Sequence, residues 1–335
     1  MAFGPHVLEI DPAAETERIV SMMRHTVGKV MRRRGGVMGI SGGVDSSVVL
    51  ALCARAFGPE RVVALMLPEK DSESDSERLA RKVAAHFGVE PVLEVITPVL
   101  DGFGCYQRRD EAIRRVFPEY DAAVGYKAKL VLPSNILEDD TLNVFSLTIV
   151  TPDGEEKNKR LPLKEYLQIV AASNFKQRTR MSMLYYHAEL RNYAVIGTAN
   201  KNEHGQGFFV KWGDGGVDIR PIIHLFKTQI YQLAEYLDVP EEVRQRPPTS
   251  DTYSAHQTQE EFFFRLPFKT MDLLWYALEN DVPVPEVAAG MGLTEEQVQR
   301  AFNDFLRKQR TTDYLRMSPV ELSRVGEDEL IGLPE

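Results

Sequence analysis

Seven consecutive residues, Ser41-Gly42-Gly43-Val44-Asp45-Ser46-Ser47, carry the clearest chemical signal in this 335-residue chain. They stand between a short apolar run at 37–40 and an apolar-periodic stretch from about Val44 to Phe57, which predicts strand, turn and helix in that order. Two glycines let a backbone approach an anion closely and adopt conformations closed to other residues. Free amides at a helix start point at that anion, with the helix dipole behind them. Ser41 and Ser46 add hydroxyl donors. Asp45 would repel a bare phosphate, so its presence argues for a divalent cation between the two. The string is neither the G-x-x-x-x-G-K-[ST] loop nor the G-x-G-x-x-G fingerprint. It suits a pyrophosphate-bearing nucleotide.

Further charged residues stand where such a ligand would need them. Thr198 follows the predicted strand 193–200, and α/β sheets bind ligands at strand ends. Lys227 opens a helix predicted over 225–240, a poor place for a cation unless it meets an anion there. Lys211 and Asp214 flank the glycine-rich turn Lys211-Trp212-Gly213-Asp214-Gly215-Gly216. On the residues alone, that turn reads equally as a tight hairpin with a surface ion pair. Glu203 alone reads as a solvated loop acid.

These strings resemble a known family. SGGVDSS is similar to the pyrophosphatase-type loop of ligases that split ATP into AMP and pyrophosphate. NFKQRTRM (174–181), IGTANKNEHGQGFFVKWGDGGVDIRPI (196–222), LFKTQIYQLAEYL (225–237) and RPPTSD (246–251) resemble the corresponding segments of the ammonia-dependent NAD synthetases. The resemblance implies ATP contacts from Ser41, Gly42, Gly43, Asp45, Ser46, Thr198, Lys227 and Thr249. It implies Mg²⁺ on Asp45 and Glu203. Asn174, Arg178, Lys211, Asp214 and Asp218 fall at positions that touch the acid substrate, nicotinic acid adenine dinucleotide. Asp45, Lys211, Asp214 and Lys227 are then the catalytic set, with Asp214 beside ammonia. The family is homodimeric, so a homodimer is expected. Three differences set this chain apart: Arg246, Ser250 and Thr252 in the 246–252 turn; Gln259 where the family carries an acid; and an extra segment at about 130–170. Two other functions stay open: the same chemistry on a different carboxylic acid, and a non-catalytic nucleotide-binding module.

The elements that must hold these residues follow from periodicity. Helices are predicted over 13–32, 44–57 and 74–87, and strands over 37–40, 61–68, 91–98 and 193–200. Their alternation predicts a parallel, doubly wound sheet flanked by helices, an α/β Rossmann-like architecture. The resemblance narrows it to the adenine nucleotide alpha hydrolase-like fold. The segment 99–173 is less regular, with a hairpin at 143–163 turning on Pro152-Asp153-Gly154. The tail from Gln259 is mostly helical, and PEVAAGMGLTEEQVQRAFNDFLRKQR reads as an ordinary helical hairpin. One domain over 1–335 is expected, without a glutaminase domain, so that free ammonia or a separate partner supplies nitrogen.

Composition excludes some classes. A net charge of −9 argues against a dedicated nucleic-acid binder. No run of about 18 apolar residues exists, and the N-terminus lacks the pattern of a signal peptide, so a cytoplasmic protein with no membrane partner is expected. Cys53 and Cys105 have no ligand-like spacing, and Cys53 reads as a core residue. Arg32, Arg33 and Arg34 end a helix, where a cationic triplet complements the dipole.

Overall fold

The structure, a computed structural model, describes residues 3–132, 136–138, 145–249 and 252–321. Helix α1 (Pro12–Arg24) starts at Asp11, whose Oδ1 accepts from the amides of Ala13 and Ala14 at 3.0 and 3.1 Å. A π-helical turn at His25–Val30 follows, so the predicted 13–32 helix is two pieces. Then come β1 (Gly36–Gly39), α2 (Val44–Phe57), β2 (Val62–Met66), α3 (Ser74–His86) and β3 (Pro91–Leu93). The predicted strand 91–98 stops at Leu93. Pro98 sits in the first turn of α4 (Thr97–Gly102), where its missing N–H costs nothing.

The region that looked irregular contains a helix and three strands before the long helix. Helix α5 (Cys105–Val116) comes first, then β4 (Lys127–Val131) and the hairpin β5 (Ser146–Val150) and β6 (Glu156–Arg160). The turn lies at 151–154, with Gly154 at φ 86°. The predicted hairpin is thus part of a three-stranded antiparallel sheet in the order β4-β5-β6. Residues 133–135 and 139–144 of the predicted insertion, and Ser250 and Asp251 of the 246–251 turn, lie outside the described residues. Helix α6 (Leu163–Arg191) follows and ends on Asn192 in the left-handed region, φ 57°. Helices α5 and α6 were hard to see because their buried faces carry charge: Arg109 and Asp110 on α5, Lys176 on α6.

The rest is β7 (Ala194–Val195), α7 (Lys201–Gln206), α8 (Lys227–Tyr236), α9 (Glu241–Gln245), α10 (Phe268–Glu279), α11 (Val284–Met291) and α12 (Glu295–Arg316). The main sheet is parallel throughout, in the order β3-β2-β1-β7. Alternate residues bury on its two faces. Met38, Ala64 and Met66 join α1, α2 and α8, while Val37, Val63, Leu65 and Val195 join α5 and α6. Cys53 is fully buried in the first of these cores. Helices α11 and α12 form the expected hairpin and pack Phe302 and Phe305 with Trp275 of α10. Sequence order reverses at β1, with β2 on one side and β7 on the other. An open α/β sheet binds ligands at the carboxyl end of such a strand.

Candidate active site

The loop after β1 lies at that switch point. Gly42 has φ 75°, and a Cβ there would sit 2.8 Å from Leu79 Cβ and 2.9 Å from Ser76 O. Glycine therefore lets α3 pack directly on the loop. Ser46 and Ser47 donate their hydroxyls to Gly43 O at 3.0 and 2.8 Å, tying the first turn of α2 to the loop. Asp45 projects from the same turn. Its Oδ1 accepts from Asn200 Nδ2 at 2.9 Å, and its Oδ2 is paired with Lys227 Nζ.

Glu203 reaches this point through a helix cap. Asn200 Oδ1 accepts from Glu203 N at 3.0 Å, and Glu203 Oε2 accepts from Asn200 N at 3.2 Å. This reciprocal box fixes the start of α7. Burial, and next the charge of Asp45, hold the Glu203 carboxyl well above the usual carboxylate range. Burial pulls the Lys227 ammonium down, but Asp45 and Glu203 outweigh it and the net shift is upward. Lys227 is held by its own backbone, since its N–H donates to Asn202 Oδ1 at 3.0 Å. Asn202 Nδ2 donates to Asp272 Oδ1 at 2.6 Å, and Asp272 Oδ2 accepts from Thr228 N at 2.8 Å. Asp272 thus braces α7 and α8 together from α10. Its burial pushes its carboxyl up to about 6.

Two adjoining cavities open here. One of about 160 Å³ is walled by Ser41, Asp45, Glu203, Lys227, Thr249 and Gln259, among others. The other, of about 410 Å³, runs over the carboxyl ends of β1 and β2, with Ile40, Met66, Thr198, Arg180 and Asp214 on its walls. Ser41, Ser46, Thr198 and Glu203 belong to both. A small polar cavity joined to a larger, more apolar one matches a phosphate chain joined to a nucleoside. Asp214 accepts from Val210 N at 2.8 Å, and loss of water around the carboxyl pushes it up to about 6 even though the residue as a whole is exposed.

The structure therefore brings Ser41, Gly43, Asp45, Ser46, Thr198, Glu203, Asp214, Lys227 and Thr249 to one place, with Gly42 shaping the loop. Four predicted residues stand apart from both cavities. Lys211 donates to Tyr314 O at 2.7 Å, and Arg178 donates to Lys211 O at 3.4 Å. Asp218 accepts from Tyr185 Oη at 3.0 Å and from Val195 N at 2.8 Å, fastening β7. Asn174 is half-buried on α6.

Asn200, Asp272 and Gln259 were not predicted as site residues. Asn200 had a signal, since Asn-x-x-Glu before a short helix is a capping pattern. Asp272 had none. Gln259 is visible only as a family acid replaced by an amide. Its Nε2 donates to Glu203 Oε1 at 3.4 Å, while its Oε1 is buried without a hydrogen-bond partner among the described residues. A second buried charge cluster, also unforeseen, adjoins the larger cavity through Glu69. Lys176 Nζ donates to Glu69 Oε1 at 2.9 Å, Asp71 Oδ2 at 2.7 Å and Thr252 O at 2.9 Å. Tyr106 donates to Glu69 Oε2 at 2.6 Å, and Arg109 pairs with Asp71 and Asp110.

The model of the NAD synthase family matches residues 15–115 and 146–313. The chain belongs to that family. Residues 116–145, which include β4, fall between the matched parts. The chain is 51% identical over 322 residues to the NH₃-dependent NAD⁺ synthetase of Mesorhizobium japonicum, covering 96% of this chain and 100% of that one. It is 48% identical over 329 residues to the NH₃-dependent NAD⁺ synthetase of Rhizobium meliloti, covering 98% and 97%. Among solved structures it resembles the NH₃-dependent NAD synthetase of Campylobacter jejuni in fold, with a TM-score of 0.60 at 23% identity over 93% of this chain and all of that one. The NAD synthases thus share the parallel sheet and helical layers described above. No described helix is long and apolar enough to cross a membrane.

Proposed function

We propose that this NAD synthase uses ATP to amidate nicotinic acid adenine dinucleotide with ammonia, yielding NAD, AMP and pyrophosphate. The observation that carries the reading is the convergence of Asp45, Glu203 and Lys227 on the phosphate loop, in a chain matched to NAD synthases over most of its length. A carboxylate oxygen of the dinucleotide attacks the α-phosphate, and the bond to pyrophosphate breaks. The loop amides and the Lys227 ammonium face the charge that develops on the leaving group. Ammonia then attacks the adenylated carbonyl and AMP departs with its electron pair. The nitrogen must lose one proton, and Asp214 on the wall of the larger cavity is placed to accept it.

Mg²⁺ fits the residues present. Two carboxylates and the orphaned amide oxygen of Gln259 form an all-oxygen set suited to a hard cation that completes its shell with phosphates. Asp45, Glu203 and Gln259 would hold it, and it would supply charge neutralisation of the phosphates. The same reading has two copies meeting along α6, which exposes Leu163, Leu167, Tyr186 and Leu190 and also carries Asn174 and Arg178. The acid substrate would then contact Asn174, Arg178, Lys211 and Asp218 near that face.

Incubation with Mg-ATP, ammonium and nicotinic acid adenine dinucleotide tests the proposal. NAD and pyrophosphate should appear in equal amounts. Nucleotide binding without either product would assign the adenylating site to a different carboxylic acid.

A further inference from the structure

The three-stranded antiparallel sheet and the active site meet at one edge. β4 is an outer strand of its sheet, and an outer strand leaves half of its N–H and C=O groups unpaired. Here a stretch from the far side of the chain takes them up. Ala128 N donates to Ser254 Oγ at 3.0 Å, and Ala255 N donates to Ala128 O at 3.2 Å. Gln257 Nε2 donates to Leu130 O at 2.8 Å from a side chain only 2% exposed. Tyr253 is sunk into the core of the three-stranded sheet, edge-on to Phe262 at 5.4 Å. Two residues beyond Gln257, Gln259 N donates to Pro248 O at 3.0 Å, and Thr258 bridges Thr249. Gln259 and Thr249 are both walls of the phosphate cavity. A continuous set of contacts therefore runs from β4 to the side chains that face Glu203 and Lys227.

We infer that the three-stranded sheet is part of the catalytic apparatus: the edge of β4 holds Tyr253–Gln259 so that Gln259 stands against Glu203 and Thr249 lines the phosphate cavity, with Gln257 and Ser254 as positioning residues. Neither touches the cavity, and both act through the two walls they fix. β4 lies in the stretch 116–145 that the family model leaves unmatched. The inference rests on the nucleotide-site reading above. It also explains why a glutamine is buried beneath a sheet edge with its amide oxygen unpartnered among the described residues, where an apolar side chain would fill the same space.

The test is Gln257→Leu in the full chain, which keeps volume and removes the donor to Leu130. Loss of one hydrogen bond lowers the ratio of molecules with the wall in place to those with it displaced by about fivefold. The KM for Mg-ATP should rise by up to that factor, because apparent affinity scales with the competent fraction. The kcat at saturating nucleotide should stay within about twofold, and the KM for ammonium should not move. Hydrogen exchange at the amides of Ala255 and Gln259 should quicken by a similar factor. Ser254→Ala should shift both readouts in the same direction, and it decides the matter if Gln257→Leu does not fold. Glu156→Gln breaks the exposed Lys129–Glu156 pair on the same sheet, 2.9 Å long, and should change neither. A fall in melting temperature with KM and exchange unchanged in both variants would overturn the inference and leave the sheet as packing alone. The exchange readout does not depend on which acid is amidated, so it separates this inference from the substrate assignment.

Discussion

Lys227 and Lys176 are both fully buried and both sit among carboxylates, yet they belong to different kinds of site. Around Lys176 every partner is occupied. Its ammonium has three acceptors, Glu69 is also bound by Tyr106, and Asp71 is also bound by Arg109. Burial raises the Asp71 carboxyl, but Lys176 and Arg109 bring the net shift below the usual range. Around Lys227 the set is unfinished. Glu203 is held in an environment that resists its charge, Gln259 Oε1 has no partner among the described residues, and a cavity opens beside both. Burial and pairing are common to the two lysines. What distinguishes the proposed catalytic site is polar capacity left over for a ligand.

Substitution should split the pair. Lys227→Met is expected to lower pyrophosphate release by about 10³-fold, the scale of a lost transition-state charge contact. Its melting temperature should fall little, because Asp45 keeps Asn200 and faces the cavity. Lys176→Met should do the reverse. Removing one partner of a buried ion cluster strands the rest and costs about 3–5 kcal/mol of folding free energy. Denaturant unfolding should show that loss, while the protein that remains folded keeps its kcat. If Lys176→Met abolished turnover with stability intact, the closed cluster would have a chemical role and the distinction would fail.

The same contrast decides what could be read from the sequence. The phosphate loop was legible because glycine and serine at a strand-to-helix turn have few structural uses that demand that order. Strands β1 and β2 and helix α2 were legible from uninterrupted apolar runs. Helices α5 and α6 were not, because Arg109, Asp110 and Lys176 interrupt the buried face that periodicity is meant to reveal. Their charges neutralise one another only in three dimensions, between residues as far apart as Glu69 and Lys176. Asp45, Glu203 and Lys227 were foreseen by resemblance, but Asp272 reads as one more polar residue in an amphipathic helix. Gln259 was noticed as a departure, and its place against Glu203 emerges only when the chain is folded.

Proton acceptance by Asp214 gives a sharper test of the open site. With its carboxyl near 6, amidation per free ammonia should rise roughly tenfold per pH unit below that value and level off above it. Asp214→Asn should lower the plateau and remove the inflection. An unchanged profile in the variant would take the proton-acceptor role away from Asp214. Normalising to free ammonia matters, because ammonium itself deprotonates at higher pH.

The smallest effect concerns Asp272, which braces the open site from behind. Its carboxyl is fully buried and lies near 6, against 3.8 for an ordinary aspartate. Between those two values the folded chain holds a proton that the unfolded chain has released. Folded-state proton binding therefore exceeds that of the unfolded state, and stability must fall as pH rises through the window from about 4 to about 6. A shift of about two pKa units corresponds to about 3 kcal/mol at most across the window. Asp272→Asn cannot ionise, so the difference between parent and variant isolates this contribution from every other group. On acidification from pH 7 to pH 4 the parent should gain on the variant by up to that amount, and the two should change in parallel above about pH 7. A difference that stays constant with pH would mean that the amides of Thr228 and Asn202 stabilise the carboxylate as well as water does. The brace on Lys227 would then carry no electrostatic cost, and the open site would owe its stored charge to Glu203 alone.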